Sequence, residues 1–273
     1  MGFDRLPLLI FCMLWSLGFS SEALAGKASK YWSLWDKSNE QQRQSIDHGD
    51  FDQLLAEYVI VDHPSGINRF RYALVKQSAS KQLSGYIKKM ARLDPRDYSR
   101  DEQKAYWLNL YNALTIQELL KVYPVKSVPQ KRFKRKKLVR IAGVKLSLDD
   151  IENRILRPIW QDPKLLFGLS CASLGCPNIH NRAFTAKNSK ALLTKSVTEF
   201  INHPRGLEVS HQRLRASALF DWYATDFGSD RRLLRFLANY ADDHKALYVL
   251  GFKGEIRYQY DNRINAPSNS WPL

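Results

Sequence analysis

Apolar residues fall into three patterns along the chain, and each predicts a different element. The first is a nearly unbroken run, LPLLIFCMLWSLGFS at residues 6–20. The second is helical spacing. Phe51 to Val61 fits a helix, and Ser78 to Leu93 sets Leu83, Ile87 and Met90 on one face. The clearest helix begins at Ser99. Ser99-Arg100-Asp101-Glu102 has the form of a capping box, in which the Ser side chain satisfies a first-turn amide and Glu102 reaches back. It runs through AYWLNLYNALTIQELL, residues 105–120, and stops before Pro124. That stretch is apolar nearly all round, which predicts burial on several sides. The third pattern is alternation. Residues 131–147, broken at Gly143, predict a β-hairpin whose first strand is very basic.

Ser147 then caps a short helix, LDDIENRIL, that ends before Pro158. Leu165–Leu169 reads as a buried strand feeding the loop CASLGCPNIHNRAF. A helix at 187–201, a small hairpin at 207–209 and 213–215, helices at 218–226 and 230–240, and a last strand at 255–260 complete the pattern. Helices and short strands mix without regular βαβ alternation. The expected fold class is therefore α+β, a single mostly helical domain with short antiparallel strands.

The run at 6–20 follows Arg5 and precedes Ala23-Leu24-Ala25. This is the arrangement of a secretory signal. It is shorter than the ~20 residues needed to span a bilayer. Residues 1–25 are thus expected to be a signal peptide cleaved after Ala25, giving a periplasmic or secreted protein with no transmembrane segment after processing. Residues 26–49, polar with Tyr31, Trp32 and Trp35, read as a leader packing onto a domain at 50–265, with a tail at 266–273. The formal net charge is +15, which favours acidic partners.

Beyond the signal, two cysteines remain, Cys171 and Cys176, and an oxidising compartment permits a disulfide between them. Cys176-Pro177 follows a buried run, where rigid elements often present working residues on loops. A thiolate is a strong nucleophile when its pKa is lowered, and a thiol enzyme also needs a base, usually histidine. Six histidines are present: His48, His63, His180, His203, His211 and His244. His180 lies four residues past Cys176. The alternatives for Cys176 are a disulfide or an inert packed thiol. Cys171, Cys176 and His180 fit none of the common zinc spacings, and neither a metal nor a cofactor is expected. Asn109 and Asn112 flank Tyr111 on the apolar helix. They either tie the helix to a loop or line a cleft that orients a ligand. The run KRFKRKKLVR, residues 131–140, holds seven basic residues. Outside the cytoplasm, the compartment argues against nucleic acid as the partner. Lys134 and Arg135 would face anionic envelope polymers, lipid headgroups or an acidic protein surface.

Several blocks together resemble the domain-of-unknown-function 547 family (DUF547): AYWLNLYNALTI at 105–116, IAGVKLSLDDIENRILRP at 141–158, FGLSCASLGCPNIHNRAFTA at 167–186, LRASALFDWYATDFG at 214–228 and YDNRIN at 260–265. The resemblance implies an exported bacterial α+β domain, distantly similar to papain-type cysteine hydrolases. Carried over by position, Cys176 would be the nucleophile, Glu152 the acid of an Ile-Glu-His block, and Asp261 the acid of a closing Tyr-Asp-Trp block. The chain departs from that pattern at four positions. Asn153 and Leu166 stand where the family has histidines, Gly175 where it has Ser, and Asn262 where it has Trp.

Without those imidazoles the thiol lacks an obvious base. The leading expectation is a non-catalytic binding or regulatory module of the envelope, engaging a small ligand or an envelope protein such as a membrane-bound sensor. The alternative is an amide or ester hydrolase or acyltransferase with Cys176 as nucleophile and His180 as substitute base.

Overall fold

A computed structural model describes residues 29–210 and 213–267. The expected signal peptide, His211 and most of the expected tail lie outside them. Helix α1 (Gly49–Tyr58) is shorter than its apolar pattern, because Val59–Ile60 form β1, paired antiparallel with β2 (Arg69–Phe70). Helices α2 (Gln77–Arg92) and α3 (Arg100–Leu120) form where the spacing predicts. Trp107, Leu108, Leu110 and Leu114 of α3 are fully buried. Trp35 of the leader meets Trp107 edge-on at 5.3 Å, an arrangement aromatic quadrupoles favour. Ser99 caps α3 as expected. Glu102 is used differently, since its Oε2 accepts from the backbone N–H of Ile46 at 3.0 Å. The leader thus takes the carboxylate that a capping box would have used.

The basic run is not one strand. Its first half is helix α4 (Gln130–Arg135), preceded by Pro129, and only Lys137–Ile141 (β3) pairs antiparallel with β4 (Val144–Ser147). Ala142 and Gly143 make the turn with φ of 42° and 81°. Positive φ at both central residues matches the twist of a tight hairpin.

Ser147 and Asp150 form a full capping box at the start of α5 (Leu148–Asp150). The helix does not end before Pro158. It passes through a π turn (Ile151–Leu156) into α6 (Arg157–Trp160). In the π turn the Arg157 N–H bonds back to Glu152 O, so Asn153 O loses its usual partner. Arg154 O loses its partner because Pro158 has no N–H. Both carbonyls are satisfied by the leader: Lys30 N–H donates to Asn153 O at 2.8 Å and Trp32 N–H to Arg154 O at 3.1 Å. The Arg154 guanidinium lies 3.7 Å from the Trp32 ring.

The run expected as a strand at 165–169 is buried but forms a 3-10 helix (Pro163–Phe167), with Asp162 accepting from Lys164 N–H at its start. Then follow α7 (Ser189–Asn202), β5 (Leu207–Ser210), β6 (Arg213–Ser217), α8 (Ala218–Trp222), α9 (Ala224–Phe227), α10 (Asp230–Tyr240), α11 (Asp243–Gly251) and β7 (Ile256–Gln259). The pattern had not indicated α11. Strands β5 and β6 pair antiparallel, whereas β6 and β7 pair parallel, joined by the helical segment between them.

The chain is one α+β unit with two hydrophobic clusters. One surrounds α1–α3, and the other α7, β6 and α8–α11. They meet at the 3-10 helix, where Leu165 belongs to the first and Leu166 and Phe167 to the second. Among the described residues, no helix is long and apolar enough to cross a membrane.

Candidate functional site

The loop carrying Cys171 and Cys176 is held at fixed positions from two directions. From α3, Asn109 donates to Phe184 O at 2.8 Å and accepts from Phe184 N–H at 2.9 Å. Asn112 does the same with Gly168 O and Ser170 N–H, at 2.9 and 2.8 Å. Each amide replaces a missing backbone partner, and both are spent on the loop. From the C-terminal side, Leu174 N–H donates to Arg263 O and Gly175 N–H to Asp261 O, each at 2.8 Å. Gly175 is required for this approach. A Cβ there would lie 2.8 Å from Asp261 N and 2.9 Å from Asp261 O, so the Ser that the resemblance implies could not enter without a backbone shift.

Cys171 and Cys176 are joined as a disulfide, with Cα atoms 6.0 Å apart. The Cys171 N–H donates to Cys176 Sγ at 3.1 Å. The Tyr260 hydroxyl lies 3.0 Å from Cys171 Sγ and 2.6 Å from Ser173 Oγ. Both cysteines line a cavity of about 40 Å³ at the seam between the hydrophobic clusters. Leu166, Leu169 and Leu219 form apolar walls, and Trp222, 39% exposed, stands at the solvent side. The Trp222 and Tyr260 ring centroids are 4.7 Å apart.

The remaining side of the cavity is polar. Glu152, carried by the π turn, is buried and accepts from the Tyr111 hydroxyl at 3.0 Å. It also accepts from the Tyr223 hydroxyl and from Lys134 Nζ at 3.0 Å. Lys134 in turn donates to the Tyr223 hydroxyl at 3.0 Å. Burial pushes the Glu152 carboxyl up, but the Lys134 ammonium and the two phenols outweigh it and hold the group below the usual carboxylate range. Burial pushes Lys134 down, and the Glu152 charge reverses that and holds it well above the usual range. Burial and the same carboxylate raise both tyrosines. At neutral pH the site therefore holds a carboxylate–ammonium pair bridged by neutral phenols. It can orient a polar group but offers no proton acceptor poised near neutrality.

Of the residues singled out from sequence, Cys176, Glu152, Tyr111 and Lys134 come together here. His180 does not line the cavity. Its Nε2 meets Ser196 Oγ of α7 at 2.7 Å, its ring packs edge-on against Phe184, and burial lowers its pKa to about 4. The Asp261 carboxylate is held by the Arg263 guanidinium, and Arg135 is exposed. Among the described residues, no histidine lines the cavity. Leu166 occupies one wall, and Asn153 is taken by Asp149 and by Arg157, which is itself paired with Asp226. Sequence reasoning missed Tyr223, Trp222 and Tyr260. The adjacent aromatics Trp222 and Tyr223 carry a usable signal, because Trp222 ends α8 and Tyr223 caps it, and the two point in different directions: Trp222 is exposed and Tyr223 buried.

The fold and cavity define an α+β domain with a disulfide-closed loop above a buried acid–lysine pair. The sequence model of a family described as protein of unknown function, DUF547, matches residues 95–201, and this match supports assigning that segment to the family. The matched segment includes Tyr111, Lys134, Glu152, Cys171 and Cys176. The blocks at 214–228 and 260–265 lie outside it. No curated protein and no solved structure matches the chain, so the papain-like part of the expectation is unsupported. Among the described residues, no group of three or more His, Cys, Asp or Glu side chains comes together as a metal site.

Proposed function

We propose that this chain is an exported, non-catalytic binding domain of the cell envelope, receiving a small ligand or a partner's side chain in the cavity beside Glu152. The observation that carries this reading is the state of the thiol: Cys176 is bonded to Cys171, and no imidazole stands among the lining residues. A disulfide blocks nucleophilic chemistry at that sulfur. Export is supported by the apolar run at 6–20, the Ala23-Leu24-Ala25 site and a disulfide suited to an oxidising compartment. Exposed Arg132 and Arg135, on either side of the inward Lys134, favour an acidic protein or anionic envelope polymer as the partner, whereas Lys136 and Lys137 are paired with Glu118 and Asp150.

A second reading, a thiol hydrolase or acyltransferase, is favoured by one feature. Both cysteines line the cavity, so reduction would place the Cys176 thiol in it, with the Cys171 N–H donating to its sulfur. Hydrolysis of p-nitrophenyl acetate with and without dithiothreitol separates the two. The binding reading expects the reduced protein and its Cys176→Ser variant to match background hydrolysis. Turnover that appears on reduction and vanishes in Cys176→Ser would overturn it. Intact mass and N-terminal sequencing of protein taken from the envelope test cleavage after Ala25.

A further inference from the structure

Adjoining the Cys loop, a second group of side chains, none of which lines the cavity beside Glu152, closes into a ring of hydrogen bonds. The Arg69 Nη2–H donates to Ser65 Oγ at 3.1 Å. His203 Nε2 meets Ser65 O at 2.8 Å, and His203 Nδ1 accepts from the Arg205 backbone N–H at 3.1 Å. Arg205 donates to Asn178 Oδ1 at 2.7 Å, and that same oxygen accepts from the Asn68 N–H at 2.9 Å, which returns the ring to the residue before Arg69. A further Arg205 N–H holds Leu174 O, inside the Cys loop, at 3.1 Å.

The charges in this ring do not balance. Neither Arg69 nor Arg205 forms an ion pair among the described residues. The neighbouring carboxylates are engaged elsewhere: Asp261 is bound by Arg263, and Glu199 by Lys195 and Asn178. Arg263 and Lys245 add positive charge nearby. Arg69 is itself buried, at 8% exposure. One donor on each arginine, Arg69 Nη1 and Arg205 Nε, is buried with no hydrogen-bond partner. Buried polar groups are almost always paired, and a buried cation without a counter-charge is costly. Guanidinium donors fixed in a fork match the oxygens of a tetrahedral anion.

We propose that the ring centred on Arg69 and Arg205 is a binding site for a small tetrahedral oxyanion of the phosphate or sulfate type. The ion takes the unused Arg69 and Arg205 N–H groups and supplies the negative charge the ring lacks. Residues 61–66, mostly exposed, run beside it, with Ser65 Oγ and Ser65 O in the ring and Gly66 O accepting from Asn178. A small ion enters by their displacement, whereas a polymer or a bilayer surface does not reach buried donors. The site shares no lining residue with the cavity beside Glu152. Its link to the loop is the Arg205–Leu174 hydrogen bond.

The test is calorimetric titration of the folded protein with inorganic phosphate, then with sulfate, at constant ionic strength set by chloride. Arginine Nε–Hε resonances are followed in parallel. The expected result is one-to-one binding with a shift of the Arg205 Nε–Hε signal. Arg69→Gln should weaken affinity by about tenfold or more, and Arg69→Lys, which keeps the charge but loses the fork, should fall between. Three results overturn the proposal: no heat and no shift up to about 10 mM of either anion, a range that still detects millimolar dissociation constants; binding undiminished in Arg69→Gln; or binding to phosphatidylglycerol vesicles without binding of free phosphate, which would assign the affinity to exposed lysines.

Discussion

The two sides of the Cys loop hold buried charge in opposite ways. On the cavity side, Glu152 and Lys134 are matched one to one, and two phenols complete the carboxylate's partners. On the other side, Arg69 and Arg205 share hydrogen bonds with neutral oxygens only, and each keeps an unused donor. Burial acts on both groups with the same sign, penalising charge. The difference lies in what is supplied against it. A matched pair is complete within the protein, and breaking it leaves a stranded charge. An unmatched pair of cations is complete only with something from outside.

The largest expected effect breaks the matched side. Glu152→Leu leaves Lys134 stranded and should cost about 3–5 kcal/mol in urea denaturation. In anion-free buffer, Arg69→Gln should cost far less, because it removes a charge that nothing balances. Equal losses would erase the contrast. Adding Lys134→Met to Glu152→Leu should recover most of the loss, and the coupling in this double-mutant cycle measures the pair directly.

Acid sharpens the comparison next. Burial lowers His48 and His180 to about 4, so both are neutral in the fold, while an unfolded histidine takes its proton near pH 6.5. The unfolded state therefore binds more protons between these values. The stability is fully present above about pH 6.5 and falls by about 1.4 kcal/mol per pH unit for each histidine down to about pH 4. His180→Gln should flatten this limb by one proton. Glu152, held below its usual range, adds its loss only at lower pH, as falling pH protonates it. A stability curve flat from pH 7 to 4 would contradict the burial of both imidazoles. Asn112→Ala should cost about 1–3 kcal/mol, because it strands Gly168 O and Ser170 N–H of the loop between the two sides. The smallest effect belongs to Trp222→Ala, within about 0.5 kcal/mol in stability but altering ligand affinity if the cavity binds from the Trp222 side.

Much of the architecture was legible where local chemistry and tertiary packing agree. The periodicity of α3, the cap at Ser147 and the turn at Gly143 each depend on residues close in sequence. The clustering of Tyr111, Glu152 and Cys176 was legible only as family-like blocks. Lys134 was singled out only as one cation of a basic run facing a polyanion, and its neighbours Arg132, Arg135 and Lys136 are exposed; helix α4 turns it inward onto Glu152, where alternation suggests a strand. The Leu165–Leu169 run had the composition of a strand, but Asp162-Pro163 started a 3-10 turn. Pro158 reads as a stop only if its missing N–H must be replaced within the helix. Here that demand is met from the leader, more than a hundred residues away, and no local signal announces it.

That arrangement has a consequence for the order of assembly. The leader's docking place is a pair of carbonyls that are set side by side, unpartnered within their own helix, only once the helix through Pro158 has formed with its π turn. Lys30 and Trp32, near the start of the chain, therefore settle after a segment made much later. The contact closes a very long loop, the kind that slows folding. Under the export proposed above, a chain leaving a secretory channel amino end first would keep this stretch extended until the body had folded, and Trp35 closing over Trp107 would be among the last steps to seal the interior.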